Sequence, residues 1–266
     1  MIIIRPSSGL CNRLRAIASG VRLAQECGEE LLIDWYYCPI KRWAPLLGMA
    51  IPYSLLFLNV DEFKIVNHLR VKYEMPWDKC FWKSDRADIF SEKHSKEFIS
   101  KCRETASDGR NKRLWTCYNF YASTDYSWLR PRKEVVDSVS AFCSRFSSNT
   151  IGMHIRRTDN TWSIQHSPLE LFTSTIEKEI DNDRNVRVFV ATDSEEVRMD
   201  LLRRYKGYII TRPNVSPRYT LKGEYDGLVD LLILSKTRKI YGSFRSSFSE
   251  VASHIGCCDL KILNRV

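Results

Sequence analysis

Short apolar runs, each closed by a polar or glycine-bearing turn and followed by a helical repeat, recur along this chain. Ile2 to Ile4 is the first, leading through SSGLCNRLRA (Ser7 to Ala16) into a helical pattern that continues to Ala24. The second, TIGMHIRRTD from Thr150 to Asp159, ends abruptly in a histidine, two adjacent arginines and an aspartate. A third, VRVFVATD (Val186 to Asp193), precedes a helical stretch from Glu195 to Tyr205. In the fourth, KIYGSFRSSFSEVASH (Lys239 to His254), a short strand run meets Gly242, a hydroxyl cluster and an amphipathic helix. Apolar strands alternating with helices predict βα units and a parallel sheet, hence an α/β fold. The polar break SRFSSN (Ser144 to Asn149), between the helical pattern of Lys133 to Phe142 and the motif strand, predicts two domains, 1–147 and 148–266. No repeat, low-complexity tract or long linker interrupts them.

The ends of these strands carry the chemistry. Ligands of open α/β sheets collect beyond the carboxyl ends of the strands, which is where His154, Arg156 and Arg157 stand. An arginine fork suits a pyrophosphate, because its planar donors bind two oxygens at once and its charge survives any physiological pH. The ordinary alternative is a strand end with solvated arginines, or an ion pair to Asp159. Gly9, with Asn12 in the helix that follows, marks a turn that lets backbone N–H groups approach an anion at a helix start; a plain tight βα connection reads the same way. Asp193 closes the third strand as Asp159 closes the second run, and is a candidate donor-binding residue there. Ser246 and Ser247, in a cluster with Ser243 and Ser249, are neutral partners for phosphate oxygens at a helix start, or simple helix caps. Together the units look like a half-Rossmann domain built to hold a nucleoside diphosphate.

Five ordered motifs carry a family resemblance: GMHIRRTD, VFVATD, RYT (Arg218 to Thr220), LVDLLILSKT (Leu228 to Thr237) and SFRSSFSEVA (Ser243 to Ala252). In order and spacing they resemble the GDP-fucose-dependent fucosyltransferases, most of all the core α1,6-fucosyltransferases and the nodulation-factor fucosyltransferases. The likeness covers roughly the last 120 residues, with a looser echo in SSGLCNRLRA; Asp34 to about Phe146 matches none of its motifs. It implies a GT-B glycosyltransferase with two Rossmann-like domains facing a central cleft, inverting, independent of metal and using GDP-fucose as donor substrate. Position by position, it implies that Arg156 grips the donor's β-phosphate and stabilises the departing GDP, with Arg157 in support. His154 and Asp230 correspond to residues that contact guanine, Ser246 and Ser247 to neutral phosphate donors, and Arg218 to an arginine near the donor. Independently, an aspartate within the apolar run Leu228 to Leu234 is costly without a partner, and the N1–H and N2–H₂ edge of guanine provides one. A place on that helix's polar face is the other reading of Asp230.

The core enzymes place a candidate glutamate base just beyond the HxRRxD motif, whereas this chain reads NTWSIQHS from Asn160 to Ser167, without a carboxylate. His166 is the natural substitute, since an unperturbed imidazole accepts a hydroxyl proton at neutral pH. Failing His166, carboxylates of the N-terminal half such as Asp34 or Asp125 are the next candidates.

A formal charge of +9 raises a competing class, the nucleic-acid or anionic-membrane binder. The basic residues are scattered, however, and clusters such as Arg103, Arg110, Lys112 and Arg113, or Arg203, Arg204 and Lys206, lack aromatic interleaving and read as solvated faces. Nucleic acid is therefore not an expected partner; the resemblance implies a nucleotide sugar and a glycan acceptor instead. A different nucleotide-sugar donor, or a non-catalytic nucleotide- or nucleic-acid-binding protein, are the alternatives. Nine cysteines form no CxxC pair, and the DxD-like Asp181–Asp183 tract reads as a turn, so no metal site is expected. With no basic-then-apolar leader the chain reads as cytoplasmic. Ala44 to Val60 is too short and proline-broken to span a membrane and reads as buried, with peripheral membrane contact as its sharper reading. Trp35, Tyr36, Tyr37, Trp43, Trp77, Trp82 and Trp115 are core residues or sugar-stacking faces.

Overall fold

The computed structural model describes residues 1–37, 51–69, 92–104, 111–217 and 220–265. They group into two compact units, Met1–Arg132 with Arg218–Tyr225, and Lys133–Pro217 with Asp226–Val266. Each unit is an α/β assembly around a wholly parallel sheet.

The first unit contains β1 (Ile2–Pro6), α1 (Leu10–Cys27), β2 (Leu31–Tyr37), β3 (Lys64–Leu69), α2 (Glu92–Glu104) and β4 (Lys112–Thr116). Its sheet runs in the order β3-β2-β1-β4. All five residues of β1 are buried, because the central strand of such a sheet is covered on both faces. Helix α1 ends where Gly28 turns left-handed at φ 63° and donates its N–H to the Ala24 and Gln25 carbonyls. At the other end of α1 the left-handed residue is Ser8, at φ 67°, while the helix-capping Gly9 is extended. Of the Ala44 to Val60 stretch, residues 44–50 lie outside the described residues. The remainder forms a one-turn 3₁₀ helix, Tyr53–Leu55, that buries Tyr53, Leu56 and Phe57 and exposes Leu55 and Leu58.

The second unit contains α3 (Lys133–Cys143), β5 (Thr150–Ile155), α4 (Thr161–His166), α5 (Leu169–Asn182), β6 (Arg187–Thr192), α6 (Glu195–Arg204), β7 (Ile209–Ile210), most of α7 (Leu221–Leu234), β8 (Lys239–Ser243), α8 (Ser247–Gly256) and β9 (Asp259–Leu263). Phe142 of α3 packs on Phe189 of β6 with ring centroids 5.4 Å apart, which fixes that helix to this unit's sheet. The strand order is β7-β6-β5-β8-β9. Counted within the unit this is 3-2-1-4-5, the doubly wound order, and its direction reverses between β5 and β8. Ile151, Met153 and Ile155 of β5 pack with Phe172, Ile176 and Ile180 of α5 and Val188 and Val190 of β6 in one apolar core. Asp181 and Asn182, expected in a turn, are the last residues of α5, and Asp183 caps it and accepts the Asn185 amide.

Lys112, read from sequence as part of a solvated basic face, is 3% exposed and paired with Glu29. Arg103 pairs with Glu26, and Arg203 and Arg204 pair with Asp200; Arg110 lies outside the described residues. Trp35 and Tyr36 are buried, and Trp35 packs edge-on against Tyr53 and donates Nε1–H to the Ile51 carbonyl at 3.1 Å. Those two aromatics are core residues. Trp43, Trp77 and Trp82 fall outside the described residues.

Candidate active site

Parallel pairing sets His154 of β5 level with Ala191 of β6 and Gly242 of β8, so the three strands end together at the reversal point of the second unit's sheet. Gly242 has no room for a side chain, since a Cβ there would lie 2.7 Å from the Ser249 Cβ. The loops that leave this edge bring together most of the residues singled out in the sequence.

His154 is buried, stacks on Phe248 with centroids 4.6 Å apart, and has Nδ1 3.3 Å from the Ser246 hydroxyl. Burial, with the Arg156 charge beside it, pushes its imidazole down to about 3, so it is neutral at physiological pH. Ser243, fully buried at the end of β8, donates to the His154 carbonyl at 3.1 Å and accepts the Arg156 amide at 3.0 Å. That serine clamps the strand end and holds Arg156 where it emerges.

Arg156 and Arg157 then part. The Arg156 guanidinium, 18% exposed, lies against two carboxylates, Asp159 and Asp193, the latter at 3.1 Å. Arg157 turns inward, donating to the Ser167 carbonyl at 2.6 Å and the Arg156 carbonyl at 2.9 Å over the Phe172 ring. Burial lowers its pKa. Asp193, at the end of β6, organises the loop: Oδ1 accepts the Arg157 amide at 2.7 Å, and Oδ2 accepts the Thr158 hydroxyl at 2.7 Å. Ser246 caps α8 and Ser247 opens it, so the first N–H groups of that helix point from the same edge.

His166 ends the short helix α4 in the following loop. Its ring lies between Trp162, at 5.2 Å, and Phe244, at 4.8 Å, and Nδ1 is 3.1 Å from the Trp162 carbonyl. Asp230 lies on α7 with the Arg212 guanidinium at 3.5 Å, and Arg212 also pairs with Asp226, which accepts the Ser216 hydroxyl. Asp226, buried on the same helix, was not singled out in the sequence, and neither was Ser243 as a site residue. Arg218 lies outside the described residues. In the first unit, Gly9 stands at the carboxyl end of β1, and Asn12 donates to the Ser8 hydroxyl at 3.0 Å and accepts from Arg15 at 2.8 Å. Next to it Arg13 is fully buried, bridging the Ser8 and Tyr36 carbonyls, and burial lowers its pKa to about 10. Asp125 is a turn residue, accepting the Ser127 amide at 2.8 Å. Among the described residues no group of three or more His, Cys, Asp or Glu is placed to hold a metal ion, and no helix is long and apolar enough to cross a membrane.

No protein-family model and no curated protein matches the sequence. Solved structures do match the fold. NodZ α-1,6-fucosyltransferase soaked with GDP-fucose superposes with a TM-score of 0.65 at 18% identity, covering 96% of this chain and 92% of that one. For fucosyltransferase NodZ from Bradyrhizobium the TM-score is 0.62 at 16% identity, with 94% and 91% covered. POFUT1 in complex with GDP gives 0.60 at 13% identity, with 98% of each chain covered. At these identities the likeness is one of fold. The chain has the α/β, parallel-sheet fold of these fucosyltransferases, the proteins to which its five motifs point.

Proposed function

We propose that this chain is an inverting glycosyltransferase of the GT-B type and that it transfers L-fucose from GDP-fucose to a hydroxyl of a glycan acceptor. The observation that carries the reading is the meeting of His154, Arg156, Ser243 and Ser246 at the reversal point of a 3-2-1-4-5 sheet, where such folds bind nucleotides.

In this reading Arg156 leaves its carboxylate partners for the donor diphosphate and stabilises the charge that develops as the bond to the anomeric carbon breaks. Ser246, Ser247 and the first N–H groups of α8 supply the neutral donors. His154, held neutral, meets the guanine as a hydrogen-bonding partner without adding charge, and Asp230 takes the guanine N1–H and N2–H₂ edge. Arg157 and Asp193, on the donor side, shape the loop that presents Arg156. Arg218 keeps the donor-side role implied by the motif RYT.

A thermal-shift panel of GDP, UDP, GDP-fucose and GDP-mannose tests the assignment, because a ligand that binds the folded state raises its midpoint. GDP and GDP-fucose should stabilise most. Stabilisation by UDP but not GDP would refute the donor class, and binding of single-stranded RNA with a steep salt slope, without any effect of GDP, would identify a nucleic-acid binder instead.

A further inference from the structure

Helix α7 carries two aspartates one turn apart, Asp226 and Asp230, and one guanidinium serves both unequally. Arg212, two residues beyond β7, pairs Nη2 with Asp226 Oδ1 at 2.5 Å and donates Nη1–H to the Asp226 carbonyl at 2.9 Å. The same Nη1 lies 3.5 Å from Asp230 Oδ1, beyond the usual length of a hydrogen bond. The second Asp226 oxygen accepts the Ser216 hydroxyl. The Asp226 side chain is 10% exposed and that of Asp230 25%. Arg212 is itself anchored: its carbonyl accepts Arg198 Nη1–H at 3.4 Å, Arg198 pairs with Glu195, and Glu195 accepts the Val215 amide at 3.1 Å.

An ion cluster that did no more than tie this loop to α7 would set the cation evenly between its carboxylates, because like charges one turn apart repel and a shared cation relieves that best from the middle. The observed contacts are lopsided. Burial works against the Arg212 charge, yet Asp230 and Asp226 hold its pKa above the ordinary value, so both carboxylates feel the cation while it closes on one. Were Arg212 to swing the remaining distance onto Asp230, a charge-assisted bond would fill that oxygen, and any donor edge arriving at the same carboxylate would have to break it. The two bonds to Asp226 prevent the swing.

We propose that Asp226 and Arg212 are positioning residues for base selection: Asp226, steadied by Ser216, holds the Arg212 guanidinium back from Asp230, so that the Asp230 carboxylate meets the N1–H and N2–H₂ edge of guanine. The assignment rests on the reading of Asp230 as the guanine contact, and every residue in it belongs to the second unit. Hypoxanthine keeps the N1–H of guanine and lacks the N2 amino group. The ratio of GDP to inosine diphosphate (IDP) affinity therefore reports contact with the carboxylate, separately from the phosphates that both nucleotides share.

Calorimetric titration of the full chain with GDP and with IDP tests the restraint. The wild type should bind GDP about 10- to 100-fold more tightly than IDP, the range expected for one hydrogen bond to a charged acceptor. Asp226→Asn releases Arg212 onto Asp230, and the ratio should fall to about 2-fold or less. Adding Arg212→Gln to that variant removes the intruding cation and should return the ratio to more than about half its wild-type value, a coupling that residues in contact show. Damage to packing would not be repaired by a second substitution. Where Asp226→Asn does not fold, Ser216→Ala takes its place and should lower the ratio about 3-fold, since Asp226 then loses one neutral hydrogen bond. A wild-type ratio in the variant titrated, a ratio that collapses in Asp226→Asn and stays collapsed in the double variant, or a wild type that binds GDP and IDP equally would overturn the assignment. A wild-type protein that binds neither nucleotide would instead bring down the donor reading, and the base-selection assignment with it.

Discussion

Replacing Asp193 by asparagine keeps the side chain's shape and removes its charge, which isolates what that carboxylate does for the Arg156 loop. One oxygen accepts the Arg157 amide at 2.7 Å, and an asparagine carbonyl can keep that bond. The other accepts the Thr158 hydroxyl at 2.7 Å and faces Arg156 Nη1 at 3.1 Å, where the new amide N–H₂ would oppose the guanidinium. Loss of a hydrogen bond between charged groups costs about 1.5–3 kcal/mol. The site is 12% exposed and one bond survives, so about 2 kcal/mol is expected. For a chain of this size that corresponds to a fall of about 4–8 °C in melting temperature. GDP should bind about 10-fold more weakly, because Arg156 is then held by Asp159 alone and reaches the diphosphate less preorganised. Thermal unfolding and calorimetric titration read the two effects separately. In an Arg156→Ala background Asp193→Asn should no longer weaken GDP, since contacting residues couple and independent ones add. A variant that melts within a degree of wild type and binds GDP equally well would refute the organising role.

Arg156→Lys should lose transfer activity by roughly two to three orders of magnitude with the fold intact, as lysine cannot reproduce a bidentate clamp; a donor assay with near-normal turnover would end the phosphate role. Asp230→Ala should weaken GDP by about 1–3 kcal/mol and UDP far less; equal losses by calorimetry would make Asp230 a partner of Arg212 only. His154 adds a pH dependence of stability. Its folded pKa, about 3, lies below the ordinary 6.5, so the unfolded chain takes up a proton that the folded one refuses. Its contribution is present above pH 6.5 and is lost as pH falls toward 3, by about 1.4 kcal/mol per unit well below 6.5. Denaturant titrations at pH 7 and pH 5 should show this slope in the wild type and a shallower one in His154→Gln; identical slopes would place His154 in contact with water.

Strands β5, β6 and β8 were readable because a parallel strand covered on both faces is apolar throughout. β9 was not: its first four residues alternate between exposed and partly buried before the buried Leu263, and DLKIL has no run long enough to stand out. β7 has two residues and exists only through its pairing with β6. The motif strand announced Arg156, yet nothing local distinguishes it from Arg157, whose inward turn depends on Ser167 and Phe172 folding beneath it. Ser243 is one of several serines in sequence, and its clamp on Arg156 spans 87 residues. Asp226 looks like any helix aspartate until Arg212 is placed opposite.

The first unit is not finished when its own strands are. Besides Met1–Arg132 it takes in Arg218–Tyr225, of which residues 220–225 are described, after the chain has built most of the second unit's strands and helices. On a ribosome adding about 5–20 residues per second, the interval between residues 132 and 225 is of the order of 5–20 s. During that time the first unit's sheet is complete while the unit itself lacks its last segment. A single cut of the gene at residue 132 would therefore deliver the second unit whole, with residues 218–225 attached, and the first unit without them, and expression of the first unit alone calls for residues 218–225 to be grafted back or supplied as a peptide.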